Sequence, residues 1–107
     1  MTIPHTTPPL LGAGGPANDA VTYFFDGVAH FQAGRIVEAA AAYDEAIRLR
    51  PTMFEAHNNL GIALQRLDKL EAALRCHDRA IALSASTADL HNSRGNCLIL
   101  IDRKSVV

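Results

Sequence analysis

Tryptophan is absent from this sequence, and aromatic residues make up only 6% of it. Sheet proteins pack their pleated faces with aromatic and β-branched side chains, whereas the alanine abundant here suits closely approaching helices. Cysteine is scarce as well. Cys76 and Cys97 stand alone with no CxxC pair, which argues against a disulfide framework or a zinc knuckle and points to a reducing compartment. No excess of either charge is present: ten Lys and Arg face eleven Asp and Glu, a formal charge of -1, so the electrostatic footprint needed for a phosphate backbone or an anionic membrane is missing. No apolar run approaches the about eighteen residues of a membrane span. The opening MTIPHTTPPLLGAGGPAND has neither the basic start nor the uninterrupted apolar stretch of a signal peptide. These absences set aside nucleic-acid binding, membrane and secreted classes and lead to the expectation of a cytoplasmic protein.

What is present is the balance of a soluble globular chain, 49% hydrophobic with 20% charged residues, and 107 residues suffice for one ordinary domain. Proline and glycine are unevenly placed. Pro4, Pro8, Pro9 and Pro16 leave only Pro51 for the rest of the chain, and Gly12, Gly14 and Gly15 share the same first stretch. That density removes backbone donors and raises the entropy of ordering, so residues 1–18 are expected to be a flexible leader. Helical periodicity follows, with helices expected near 19–33, 35–49, 53–66, 69–83 and 87–101. Asn18 or Asp19 is the expected cap of the first. Thr52 with Glu55, Asp68 with Glu71 and Ser86 with Asp89 have capping-box spacing. Gly34 suits the left-handed residue that ends a helix, and Pro51 cannot continue one.

A repeat organises these helices. HNNLG at 57–61 returns 34 residues later as HNSRG at 91–95. Laid over residues 54–87, residues 20–53 match without a gap at seven places: Gly27/Gly61, Ala29/Ala63, Ala39/Ala73, Asp44/Asp78, Ala46/Ala80, Ile47/Ile81 and Leu49/Leu83. Residues 88–101 continue the register through His91, Asn92, Gly95 and Leu98. A period of this length means one helical hairpin repeated, each unit covering the next one's apolar face.

Tyr23, Gly27, Ala39, Tyr43, Ala46 and Pro51, then Leu60, Gly61, Leu64, Ala73 and Ala80, then Gly95 and Leu98, give the chain its resemblance to the tetratricopeptide repeat family over residues 20–101. The resemblance implies an all-α, right-handed solenoid of about two and a half repeats: 20–53, 54–87 and a partial 88–101, together a domain at 19–101. Departures fall at Asp26 and Arg94, which take the place of Leu60, at His57 and His91 in place of a bulky aromatic, and at Ala85 in place of a closing proline. The third repeat is the weakest. Its helix carries four consecutive apolar residues, Leu98 to Ile101, and caps the stack badly. The terminal DRKSVV, 102–107, resembles translated library-adapter sequence and is expected to be a non-native tail, the chain itself a fragment of a bacterial protein of this family. Marginal stability is expected, because such stacks usually need three or more repeats.

By resemblance, the first helix of each hairpin lines a concave groove that holds a peptide or a partner segment. The groove positions are Val21, Phe24, Phe25, Val28, Phe31 and Gln32, then Glu55, Asn58, Asn59, Ile62, Gln65 and Arg66, then Asp89, Asn92, Ser93, Asn96, Ile99 and Leu100. Asn58, Asn59, Asn92 and Asn96 both donate and accept, which suits an extended backbone of any sequence; the competing reading is a solvated polar helix face. Some family members clamp a partner's C-terminal carboxylate with Lys, Arg and Asn. The matching places here hold Phe24, Val28, Asn59, Asp89 and Ser93, and only Asn59 agrees. Repeats of the O-linked N-acetylglucosamine transferase type carry an asparagine ladder at the place of Asn59, where the neighbours here are Phe25 and Ser93. The leading expectation is a non-enzymatic interaction scaffold for a protein or peptide partner; the alternative is the N-terminal substrate-recognition segment of a larger glycosyltransferase-like enzyme.

Catalytic and metal chemistry find no candidates. His57 and His91 lie one period apart, but two ligands are too few for a metal, and both are expected to pack. Adjacent Cys76 and His77 point about 100° apart on a helix and cannot form an attacking pair. His77, aligned with Tyr43, and Cys97, aligned with Ala29 and Ala63, are expected in the core, and no cofactor is expected. Phe24, Phe25 and Phe31 either form an exposed apolar patch, to be covered by the leader, a second copy or a partner, or turn into the core. Self-association through exposed apolar ends follows from the first reading.

Overall fold

The computed structural model describes residues 10–84 and 88–105, with side chains from residue 19 onward. It contains α1 (Leu10–Gln32), α2 (Ile36–Leu49), α3 (Phe54–Arg66), α4 (Leu70–Ser84) and α5 (Ala88–Ser105), and no strand among the described residues. The helix bounds agree with those expected to within one residue, except at the start of α1 and the end of α5.

The first exception corrects the leader's reach. Residues 1–9 lie outside the described residues, but 10–18 are helical. A helix anchored downstream gains one hydrogen bond for each residue it adds, and Leu10, Leu11, Ala13 and Ala17 favour that growth despite the glycines and Pro16. Asn18 and Asp19 are therefore helix-interior residues rather than caps, and the half-buried Asp19 has an Oδ1 without a partner among the described residues. The second exception concerns the expected tail. Residues 102–105 belong to α5, and Lys104 Nζ donates to Asp68 Oδ2 at 2.7 Å; Val106 and Val107 lie outside the described residues.

The hairpin turns repeat atom for atom. Gly34, at φ 84°, donates to the Phe31 carbonyl while Arg35 reaches back to that of His30. One period later Asp68, at φ 65°, donates to Gln65 while Lys69 reaches Leu64. This is the two-bond closure that a left-handed residue permits at a helix end. Asp68 thus closes α3 and does not cap α4. Thr52 and Glu55 do not form their box either. The residue that starts α3 is Met53, which makes no side-chain cap bond and is buried, so apolar anchoring fixes the helix entry. Ser86 and Ala85 lie outside the described residues.

Packing follows the repeat. α1 pairs with α2 and α3 with α4, and α2 on α3 and α4 on α5 join the units. α2 buries Ala39, Ala42, Tyr43 and Ala46, and α4 buries Leu70, Ala73, His77 and Ala80, each a stripe at helical spacing. The stripe is narrow because alanine lets the backbones close in. Into each hairpin one ring is inserted opposite a glycine: a Cβ at Gly27 would stand 2.5 Å from the Tyr43 ring, and one at Gly61 would stand 2.6 Å from the ring of His77. A radius of gyration of 15.0 Å exceeds the about 13 Å of a compact 100-residue domain and fits an elongated stack.

Candidate functional site

α1, α3 and α5 are the first helices of their hairpins. Between α1 and α3 lies a pocket of about 150 Å³ lined by Val28, Phe31 and Gln32 from α1, Asn59 and Ile62 from α3, and Tyr43 from α2. Tyr43 arrives there because its ring passes over Gly27. The residue is 2% exposed, and its hydroxyl lies 3.5 Å from Asn59 Nδ2, which donates to it. Burial raises the Tyr43 phenol above its ordinary value, with the Asn59 hydrogen bond opposing, so it stays un-ionised near neutral pH. Phe24 stacks beside it, ring centroids 5.8 Å apart and planes at 49°. Arg66 lays its guanidinium over Phe31, 4.9 Å from the centroid, tying the second repeat to the first by a cation–π contact. The result is an apolar slot with one polar pair at its base.

A second cleft of about 420 Å³ lies at the α1 end, where Val21, Phe24 and Phe25 face Met53, Phe54 and Glu55. Phe25 meets Phe24 edge to face at 5.3 Å and remains 61% exposed. The phenylalanines therefore divide between the two readings. Phe24 and Phe31 pack partly into the core around Tyr43 and Leu60, and Phe25 with Val21 forms the exposed patch.

Of the expected groove residues, Val28, Asn59 and Ile62 meet in the first pocket and Phe24, Phe25 and Glu55 in the second cleft. Asp89, Asn92, Ser93 and Asn96 line neither; Asp89, Asn92 and Asn96 are exposed along α5 and Ser93 is half-buried. Asn58 has an inward role instead. His77, fully buried, places Nδ1 3.1 Å from Asn58 Oδ1 and Nε2 2.6 Å from Gln65 Oε1. A neutral imidazole has a single N–H, so it donates to one of these amides and accepts the NH2 of the other. Burial lowers the His77 pKa, with Asp78 opposing, which keeps it neutral. Two amides of α3, expected to line the groove, are thus committed to holding a core ring. Gln65 was among the expected groove positions, whereas Tyr43 was named only for the family resemblance and its part in the pocket was not foreseen. A buried hydroxyl or imidazole must find partners, and both rings belong to the buried stripes of α2 and α4.

The remaining histidines and cysteines resolve as follows. His57 is buried and its Nε2–H donates to the Pro51 carbonyl at 2.9 Å. His91 is exposed, contrary to the packing role expected for it, because among the described residues no helix covers its face of α5. Cys97 is fully buried, and its thiol donates to the Leu70 carbonyl at 3.3 Å. Burial, ahead of nearby Asp44, pushes the Cys76 thiol up to about 11, which removes it as a nucleophile near neutral pH. Among the described residues no three His, Cys, Asp or Glu side chains gather to hold a metal ion, and no helix is long and apolar enough to cross a membrane.

Family comparisons agree with this geometry. A family model described as TPR repeat matches residues 27–68, and one described as tetratricopeptide repeat matches residues 55–88. Together they span 27–88, more than half of the 107 residues. The chain belongs to the tetratricopeptide repeat family. No curated protein matches it. Among solved structures, this tetratricopeptide repeat protein is similar to one described as the first TPR of Spaghetti (RPAP3) bound to the HSP90 peptide SRMEEVD. The identity is 23%, covering 81% of this chain and 71% of that one with a TM-score of 0.76, a likeness of fold. The stack is an all-α helical-repeat solenoid, a fold that typically serves protein interaction rather than catalysis.

Proposed function

We propose that the protein binds a short extended segment of a partner protein along the α1–α3 groove, without catalysis, seating one apolar side chain in the pocket between Val28, Phe31, Tyr43 and Ile62. The observation that carries this reading is the pocket itself. Its about 150 Å³ is too small for a drug-sized ligand, whose sites run about 300–1,000 Å³, and suits a single aliphatic side chain. Asn59, whose Nδ2 donates to the Tyr43 hydroxyl at the base, offers its carbonyl to the peptide backbone, and Glu55 in the neighbouring cleft disfavours an acidic guest. The relative's peptide ends in glutamates and an aspartate. With Phe24, Val28, Asp89 and Ser93 at the clamp positions, this chain lacks the cations to hold such an end.

The same groove would serve a free-standing scaffold or the recognition segment of a larger enzyme. Phe25 and Ser93 at the ladder positions flanking Asn59 favour the scaffold. The test is a screen of short neutral and acidic peptides by NMR shift mapping. Neutral peptides with a central Leu, Ile or Met are expected to perturb Val28, Asn59 and Ile62, and Ile62→Lys is expected to remove the effect. Preferential binding of SRMEEVD, or perturbations confined to α4, would overturn the reading.

A further inference from the structure

Tyr43 brings to the pocket between α1 and α3 a hydroxyl whose hydrogen-bonding capacity is half used. The ring lies over Gly27 and against Phe24, and the residue is 2% exposed. Its oxygen accepts from Asn59 Nδ2 at 3.5 Å. A phenol both accepts and donates, and among the described residues the proton of this one has no acceptor. Val28, Phe31 and Ile62, which wall the pocket, have side chains of carbon alone and offer none, and Gln32, the remaining wall residue, is exposed. Burial keeps the phenol un-ionised, so the proton stays in place near neutral pH. A guest that fills the pocket shuts water out, and a buried donor that then has no acceptor costs free energy.

We infer that the pocket selects a guest side chain that brings a hydrogen-bond acceptor to the Tyr43 hydroxyl, so that an aliphatic stem carrying a thioether sulfur or a hydroxyl oxygen is taken in preference to an all-carbon side chain of the same shape. The inference rests on the peptide reading above and narrows its guest. Tyr43 is then the residue that sets specificity. The carbon walls hold two isosteric side chains alike, and what separates them is whether the phenol keeps a partner once water has left. An all-carbon guest strands the donor, whereas an acceptor-bearing guest satisfies it. A site built to hydrogen-bond its guest discriminates in this way against the analogue that lacks the atom.

Calorimetric titration of the full chain with matched neutral peptides tests the inference. In one pair the central residue is methionine or norleucine, and in the other it is threonine or valine, each pair alike in shape and differing in one acceptor atom. The ratio of affinities within a pair is compared between wild type and Tyr43→Phe, which cancels the unequal cost of desolvating the two side chains. The acceptor-bearing member is expected to gain about five-fold on its partner in wild type relative to Tyr43→Phe, the worth of one hydrogen bond. A gain in the methionine pair alone assigns the thioether, and one in the threonine pair alone assigns the hydroxyl. Tyr23, which packs in the other core cluster, can be replaced to leave Tyr43 the only tyrosine in a chain without tryptophan. In Tyr23→Phe the near-UV absorption is expected to shift to the red on binding the acceptor-bearing peptide and not on binding its isostere. Equal ratios in wild type and Tyr43→Phe for both pairs overturn the inference. If none of the four peptides binds while a leucine peptide does, the inference falls alone; if the leucine peptide also fails, the groove reading falls with it.

Discussion

Where the first hairpin seats Tyr43 against Gly27, the second seats His77 against Gly61, and the two rings approach their glycines almost equally closely, at 2.5 and 2.6 Å from an added Cβ. The backbone solution is the same and the polar problem differs. A phenol carries one polar atom at its far end, so its carbons stay in the core while the hydroxyl reaches Asn59 in the pocket. An imidazole carries nitrogens on two edges, and both lie inside. The second hairpin must therefore supply two partners, and it takes them from α3 as Asn58 and Gln65. This choice of ring explains why the first repeat keeps an open apolar pocket and the second keeps its amides fixed.

The largest test of the shared backbone solution is Gly61→Leu. The side chain would have to displace a fully buried ring, at a cost of about 3 kcal/mol by overpacking, and Gly27→Leu is expected to match it. Gly95→Leu in dilute protein is expected to cost nothing, because its Cβ enters open space. Urea denaturation midpoints compare the three: unequal losses at Gly27 and Gly61 would break their equivalence, and an equal loss at Gly95 would break the distinction of the third.

The difference between the rings is sharpened by pH. His77 has a lowered pKa in the folded protein, so below the ordinary histidine value of about 6.5 the unfolded chain binds a proton that the folded chain resists. Stability from this site is complete above that value and is lost as the pH falls through it, by at most about 1.4 kcal/mol per pH unit. His77→Phe is expected to flatten that part of the pH profile between pH 7 and 5 while lowering stability at pH 7 by about 2 kcal/mol, since two amides lose their partner. Tyr43→Phe is expected to leave the profile unchanged and to cost about 0.5 kcal/mol, its hydrogen bond being long at 3.5 Å. An identical pH profile for wild type and His77→Phe would mean that the imidazole is not held neutral.

Much of this was legible in the sequence. The 34-residue period matched Gly27 to Gly61, and both lie against a ring of the next helix, because a stack of like units repeats its packing wherever it repeats its backbone; the turn role of Asp68, expected as a cap, came only with the structure. His77 and Cys97 were readable as core from their alignment with Tyr43 and Ala63. The site was less legible. Asn58 and Asn59 are neighbours of one type on one helix, yet one turns inward to His77 and the other lines the pocket, a division set by which ring lies behind each. His91 repeats His57 in sequence but not in burial, because periodicity encodes the face of a residue and not whether a helix lies over it. The start of α1 escaped for a different reason. Proline and glycine content measures local propensity, and a helix already anchored at Ala20 and Gly27 propagates through residues that would not nucleate one.

A comparison with opposite signs sets the two turns against each other. Gly34 and Asp68 occupy the same place in the repeat with φ of 84° and 65°, and only glycine takes that conformation without strain. Asp68→Gly removes the strain but also the exposed ion pair to Lys104, whose net worth is about 0–1 kcal/mol, and the loosening of the unfolded chain subtracts further. The expected balance is a gain of about 0.5 kcal/mol, larger at high salt, where the ion pair is screened and its loss matters less. Gly34→Asp, with no cation at the period position of Lys104, is expected to lose about 1 kcal/mol at any salt concentration, since residue 70 of the first hairpin's neighbour is a leucine. Denaturation at low and high salt separates the two contributions: a loss at Asp68→Gly that vanishes in salt would assign the turn's stability to the Lys104 pair, and a gain that grows in salt assigns it to the backbone.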